Sequence, residues 1–196
     1  MNQLDAFVTT PAQREAFIQA MRTVASSVTV VTTDGAAGRH GATVSAFCSV
    51  SADPPSALVC LNAASRIARS VAANGIFCVN VLPQPRRDIA DRFAGRHDAH
   101  VSDRFDGIEY TQTSGLPPAI SGATVFFCAL EESIGFGTHR IFIGHVVDLR
   151  QGGSDPLTYL NGAYHRVVPK PARADPVHLH CPALIPADGT VCDRTI

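Results

Sequence analysis

The sequence predicts a mainly β protein, an antiparallel barrel or sandwich with a few short helices. Three observations predict it. β-Branched and aromatic residues gather in short runs such as SVTVVTT, SALVCLN and IFCVNVL, the composition of strands. Gly, Pro and Asp punctuate those runs at short intervals. Helical spacing of apolar residues is confined to brief stretches that do not alternate regularly with strands, which disfavours a βαβ repeat.

Residues 11–25 predict a helix. Pro11 suits its first turn, and Phe17, Ala20, Met21 and Val24 fall on one face. Residues 27–33 predict a strand and 34–39 (DGAAGR) a turn. Residues 41–51 (GATVSAFCSVS) resume the strand pattern until Asp53-Pro54-Pro55 breaks it. Residues 56–62 form the next strand. Residues 65–73 form a short helix, with Gly75 as its stop. A strand over 76–82 precedes a helix over 86–94, which packs Ile89 and Phe93 and ends at Gly95. Residues 96–121 read as a long loop. Strands follow around 123–134 and 139–149, then a short pair near 157–160 and 163–167. Residues 1–167 therefore form one domain. From Val168 the chain is Pro-rich and aperiodic, so 168–196 is a tail, either extended or disordered.

The chain has 196 residues, 45% hydrophobic and 17% charged, enough to bury a core and too apolar for global disorder. A formal net charge of −1 gives no basic excess to follow a phosphate backbone, so a nucleic-acid partner is disfavoured. No apolar run approaches membrane-spanning length. The start, MNQLDAFVTTPAQREAF, lacks the basic-then-apolar order of a signal peptide, which makes the cytoplasm the default location. Cys48, Cys60, Cys78 and Cys128 lie in apolar strand-like runs without a CxxC, and read as core thiols of a reducing compartment.

Several motifs fail. Gly135-Phe-Gly137 begins like a dinucleotide fingerprint, but it lacks the third Gly and enters a strand. There is no Walker A, HExxH or GxSxG sequence. His178, His180, Cys181 and Cys192 carry the right atoms for zinc, yet their spacing fits no standard finger; the alternative is a plain tail.

Three motifs survive. In Thr43-Val-Ser-Ala-Phe-Cys-Ser49-Val-Ser51, period two places Thr43, Ser45, Phe47, Ser49 and Ser51 on one face. Such a row of hydroxyls offers neutral donors and acceptors to a polar ligand; the alternative is a solvent-facing strand. In Asn62-Ala-Ala-Ser65-Arg66, Asn62 or Ser65 can cap the next helix. Its free N–H groups and Arg66 would then receive a phosphate, or the helix is simply capped beside solvated arginines. In Gly137-Thr-His139-Arg-Ile-Phe-Ile-Gly-His145, alternation puts His139, Ile141, Ile143 and His145 on one face, as ligand contacts or as satisfied structural histidines.

The run from about Phe17 to Val167 resembles the flavin reductase family of FMN-binding split barrels. The segments that carry the resemblance stand in the family's order. They are Val28–Thr33, Gly41–Ser51 with Pro54-Pro55, Asn62/Ser65, Phe77-Cys-Val-Asn80-Val-Leu82 and Arg92-Phe93-Ala-Gly95, then Arg104-Phe105, Gly115-Leu-Pro117, Gly122-Ala123, Gly137-Thr-His139 and Tyr164. Each alone is weak, and their collinearity is strong. Where the family often has Gln this chain has Arg86.

The resemblance implies a Greek-key split β-barrel, dimeric, with flavin near the subunit interface. It implies NAD(P)H-dependent reduction of FMN or FAD, with NADH or NADPH as co-substrate and a flavin-dependent monooxygenase taking the reduced flavin by diffusion. Thr43, Val44, Ser45, Ala46 and Ser49 would line the flavin ring and ribityl chain. Asn62, Ser65 and Arg66 would hold the phosphate. Phe93 would pack at the flavin, and His139 would meet the nicotinamide with Tyr164 nearby. Hydride passing from nicotinamide C4 to flavin N5 is cofactor chemistry, so no catalytic nucleophile, acid–base pair or metal is expected. The rival readings are a split barrel that binds flavin or haem without turnover, a relative that oxidises pyridoxamine phosphate, and a ligand-carrying barrel with no cofactor.

Overall fold

The computed structural model of the chain describes residues 9–168. The first helix, α1 (Pro11–Arg22), is capped by Thr10, whose side chain accepts from the Gln13 N–H while Gln13 answers at the Thr10 N–H, a capping box. The strands and helices that follow are β1 (Ser26–Ser27), β2 (Thr29–Thr33), β3 (His40–Val44), β4 (Phe47–Ala52), β5 (Pro55–Asn62), α2 (Arg66–Asn74), β6 (Ile76–Val81) and α3 (Arg87–Phe93). After these come β7 (Tyr110–Thr111), β8 (Ala119–Ile120), β9 (Thr124–Phe136), β10 (His139–Arg150), β11 (Leu157–Leu160) and β12 (Ala163–Arg166).

Seven strands form one antiparallel sheet in the order β3-β2-β6-β9-β10-β5-β4. Strands β3 and β4 are neighbours in sequence and yet lie at opposite edges of it. The turn that joins them, Ser45–Ala46, curls the sheet on itself, and the Cys60 N–H donates to Ala46 O, which carries the β4–β5 ladder up to the turn. Closure of this kind gives the barrel, with β3 and β4 as the two edges of the sheet. A three-stranded sheet β1-β11-β12 and a ribbon β7-β8 lie outside it.

Strand β2 is buried along its whole length because both of its faces are covered. On the barrel interior, Val31, Val59, Phe77, Val79 and Phe142 pack together, and α2 plugs one end with Ile67, Ala68 and Val71. On the outer face, Val30, Val125 and Phe127 pack under Ile89, Ala90 and Phe93 of α3 with Phe105 and Ile120. The interior leaves no spare volume at Gly144: a Cβ there would stand 2.7 Å from Cys128 Cβ and 2.7 Å from Phe77 Cε1, both fully buried. Gly144→Ala is expected to lower stability by about 1–3 kcal/mol, the usual range for overpacking. Urea unfolding checks it, and an unchanged midpoint would show that the interior yields.

The structure departs from the sequence expectations in four places. The helix over 11–25 stops at Arg22, and Phe17, Met21 and Val24 are exposed rather than turned to the core. The run over 41–51 is two strands, so Thr43, Ser45, Phe47, Ser49 and Ser51 share no single face. Thr43 turns to α3 on the outer face and Phe47 to the Phe126 ring on the interior side, while Ser45 and Ser49 are exposed. The loop over 96–121 contains the β7-β8 ribbon. Of the cysteines expected in the core, Cys78 and Cys128 are buried, but Cys60 is half-buried and Cys48 exposed, because their positions in β5 and β4 face outward. Burial raises the thiol pKa of both core residues, Cys128 to about 12. The proposed tail residues His178, His180, Cys181 and Cys192 lie outside the described residues.

Candidate flavin and nucleotide site

Helix α2 enters the site with its N-terminus. The Asn62 side chain accepts from the Ala64 N–H at 2.9 Å, and the Ser65 hydroxyl donates to Asn62 O at 2.6 Å while accepting from the Ala68 N–H at 3.3 Å. Both residues therefore build the cap expected from the sequence. The turn is tied to the β9-β10 hairpin: the Ala63 N–H donates to Thr138 O at 3.0 Å, and His139 pairs directly with Asn62. His139 is exposed, its Nδ1 3.0 Å from the Thr138 hydroxyl. Among the described residues Arg66 has no hydrogen-bond or ion-pair partner, so its charge is available to a ligand.

Strand β3 runs beside this helix end. Gly41 is required where it sits, since a Cβ would come within 2.6 Å of the Phe93 ring beneath it. The Thr43 hydroxyl donates to Ala90 O at 2.7 Å, so its side chain fastens the strand to α3 and leaves only its backbone for a ligand. Val44 packs toward the barrel interior. At Ser45–Ala46 the chain leaves the ladder, and neither N–H donates a hydrogen bond among the described residues. Two adjacent unpaired N–H groups in an exposed turn suit the carbonyl and ring-nitrogen acceptors of a flavin.

A pocket of about 730 Å³ opens between β3, the start of α2 and the segment 98–105. Arg39, His40, Asp98, Asp103 and Arg104 line it, and none of them was given a site role from the sequence, although Arg104 stands in a segment that carries the resemblance. Arg39 sits 4.5 Å over the Phe105 ring, donates to the Tyr110 hydroxyl, and pairs with Asp103 at 2.5 Å. Arg104 pairs with Asp98 and also donates to Phe93 O at 2.9 Å and Gly41 O at 3.3 Å. Asp98 is held below the usual carboxylate range chiefly by Arg104, and Asp103 by the Phe105 N–H and then Arg39. His40 is also shifted down, by burial first and by the charge of Arg66 second. It is therefore neutral at neutral pH and gains its proton only below the ordinary histidine range.

The structure thus gathers Val44, Ser45, Ala46, Asn62, Ser65, Arg66 and His139 around one corner of the barrel. Ser49 stands further along β4, exposed and opposite Ala57. Phe93 lies under the pocket floor, 1% exposed and edge-on to Phe105. Tyr164 is elsewhere: its hydroxyl donates to Asp91 of α3 at 2.9 Å, and no contact joins it to His139 within the described residues. Burial first, and the bond to Asp91 second, push its pKa up to about 12, so it stays a neutral donor.

The sequence profile of the flavin reductase like domain matches residues 21–168. A protein named FMN reductase (NADH) RutF, from Ancylobacter novellus, is 39% identical over 160 residues, spanning 81% of this chain and 87% of that one. The protein of the same name from Stutzerimonas stutzeri is 38% identical over 157 residues, 79% and 89% of the two chains. Among solved structures, the NADH:FAD oxidoreductase SgcE6 of Streptomyces globisporus, in complex with NAD and FAD fragments, superposes with a TM-score of 0.75 at 28% identity, covering 85% of this chain and 99% of that one. The styrene monooxygenase flavin reductase of Pseudomonas putida S12 gives 0.69 at 27% identity, covering 79% and 98%.

Proposed function

We propose, from the premise that this chain belongs to the flavin reductase family, that it oxidises NADH or NADPH to reduce FMN or FAD and hands the reduced flavin to a partner monooxygenase. The observation that carries this reading is the corner just described. It has two unpaired N–H groups at Ser45–Ala46, an unpaired Arg66 at a capped helix N-terminus, and an exposed His139 on the neighbouring hairpin.

Bound flavin would supply the hydride-accepting chemistry. The Ser45 and Ala46 N–H groups would orient the ring and offset negative charge that grows on it. Arg66 and the α2 N-terminus would hold the phosphate. His139 would donate to the nicotinamide amide or to a nucleotide phosphate. It is not needed as an acid or base, since hydride transfer moves no proton in the same step. The reading is tested by mixing protein, nucleotide and flavin and following absorbance at 340 nm. Absence of a flavin-dependent rate with either nucleotide, across FMN, FAD and riboflavin, would overturn it. A neighbouring reading frame encoding a flavin-dependent oxygenase would support the partner.

His139→Asn is expected to raise KM for the nicotinamide substrate by about tenfold, the loss of one good hydrogen bond to a polar group. Flavin affinity and the melting temperature should stay close to the parent's. Joint loss of flavin binding and stability would make His139 a structural residue instead.

A homodimer belongs to the same proposal. The outer face of β5, β10 and β9 shows half-buried Leu58, Cys60, Ile141 and Ile143 beside Ile134 and Phe136, the last 80% exposed. An apolar sheet face of this kind marks a covered surface, and Asn62 and His139 stand at its end. Ile134→Asp with Phe136→Asp should sediment as a monomer and bind flavin more weakly. A double variant that stays dimeric would place the interface elsewhere. We place the protein in the cytoplasm, a reading supported by its free thiols. No helix among the described residues is long and apolar enough to cross a membrane.

A further inference from the structure

The Ser45 and Ala46 N–H groups can orient a flavin ring only if the end of β3 is held still. Strand β3 is an edge strand, with β2 on one side and no strand hydrogen-bonded on the other. It is fastened to α3 as well. The Thr43 hydroxyl donates to Ala90 O at 2.7 Å, and Arg104 donates to both Gly41 O and Phe93 O. The Phe93 ring takes the space that a side chain at position 41 would need. The edge of β3 therefore stands where α3 stands.

Helix α3 is only seven residues long, and Arg86 at its N-cap makes no side-chain cap. Its inner face packs Ile89, Ala90 and Phe93. On its outer face one carboxylate collects three partners. Asp91 accepts from the Tyr164 hydroxyl at 2.9 Å, and pairs with Arg96 at 3.3 Å and Arg87 at 3.4 Å. The two arginines reach in from exposed positions, and such pairs contribute little. Tyr164 comes from β12, whose place is set elsewhere. Strand β12 pairs with β11, and Leu157 of β11 accepts from the Val28 N–H and donates to Leu82 O, both at 2.8 Å. The Tyr164 ring is itself held edge-on by Tyr159, with the Arg87 guanidinium 5.2 Å above it. A sheet outside the barrel thus grips the middle of α3 through one phenol.

We infer that Tyr164 is a positioning residue for flavin reduction. Through Asp91 it sets α3, and through Ala90 O and Thr43 it sets β3, so that the Ser45 and Ala46 N–H groups meet the ring where negative charge grows. The inference rests on the flavin reductase reading and adds to it a residue remote from both cofactors. Donors held in place favour reduced flavin over oxidised flavin, and loosened donors lose that preference.

The test is the reduction potential of FMN bound to the whole chain, with the affinity for oxidised FMN measured alongside. Tyr164→Phe removes the hydroxyl alone. It is expected to weaken reduced FMN about fivefold, the worth of one ordinary hydrogen bond, and oxidised FMN less than about twofold. The potential should fall by up to about 20 mV, at about 30 mV per tenfold for a two-electron couple. KM for the nicotinamide substrate should hold while kcat falls. Without ligand, the amide resonances of Ser45 and Ala46 should shift. Asp91→Leu should reproduce the effect, and the double variant should be no worse than either single one, since all three break the same link. Asp91→Asn keeps an oxygen for the phenol and should restore most of the preference for reduced FMN. Gly144→Ala strains the barrel interior without touching the link and should leave the potential alone. A Tyr164→Phe protein with the parent's potential and unshifted amides overturns the inference. So does an equal change in Gly144→Ala, which would mark general loosening. FMN-dependent NADH oxidation by that same protein would leave the reductase reading intact, whereas a parent chain without flavin turnover removes both.

Discussion

Ser65→Ala combined with Arg66→Ala is expected to weaken FMN by more than tenfold and riboflavin hardly at all. The unpaired guanidinium and the α2 N-terminus are proposed to meet the phosphate, which riboflavin lacks. A charge-assisted contact is worth roughly 1.5–3 kcal/mol, which is a tenfold loss or more. Ser65 has a second duty, since its hydroxyl caps α2 and holds Asn62 O. Losing a cap costs about 0.5–2 kcal/mol of stability, which would weaken every ligand alike. Two controls separate the effects. Arg66→Ala alone keeps the cap. Ser65→Asp also keeps it, because aspartate is a good N-cap residue, but sets a negative charge against the phosphate. The Asp variant should melt like the parent and bind FMN worst of all. If FMN and riboflavin fall together in Arg66→Ala, the phosphate is held by other residues.

The largest loss of stability is expected at Asn80. It is fully buried, and it joins three pieces of chain. Its amide donates to Val30 O at 3.0 Å and to the Thr32 hydroxyl at 3.3 Å, while its carbonyl accepts from the Ile120 N–H at 2.7 Å. Thr32 in turn donates to Pro118 O at 2.6 Å. The two side chains therefore pin the 118–120 segment onto β2 and β6. Leucine at position 80 would match the volume but strand the Ile120 N–H in the core. Asn80→Leu should cost about 3 kcal/mol, since each orphaned buried polar group costs roughly 1–3. For a domain of this size that is roughly 6–12 °C in Tm. Asn80→Asp should be worse still at neutral pH, because it buries a charge with no cation beside it. Scanning calorimetry on the three proteins checks the order, and a Leu variant within 1 °C of the parent would mean that Ile120 finds another acceptor.

How far the sequence could be read depended on the range over which each feature is decided. The ends of α2 were legible because each is decided locally: Asn62 and Ser65 act within one turn of each other at its start, and Gly75 stops it with a left-handed C-cap. The pairing of His139 with Ile141, Ile143 and His145 on one outward face was legible for the same reason, since alternation is local. The break at Ser45–Ala46 was not. The run GATVSAFCSVS keeps strand composition throughout, and the turn exists only because β4 must reach the far edge of a closed sheet. Phe17, Met21 and Val24 show the opposite limit: periodicity reveals an apolar helix face and says nothing of what covers it. Arg39, His40 and Asp103 entered the pocket through topology alone, from a turn and a loop distant in sequence. Tyr164 was carried over by resemblance, and within one chain its partner is Asp91.

The placement of β3 and β4 at opposite sheet edges bears on the order of folding. Strands β5, β10, β9, β6 and β2 must already be in register before the seam at Ser45–Ala46 can close, so that contact is made late. The residues that would touch the flavin ring are thus expected to form after the rate-limiting barrier, and most of the two cores before it. A ligand bound there holds the finished barrel and gives the transition state little. Flavin should therefore slow unfolding in proportion to its affinity and leave the refolding rate almost unchanged.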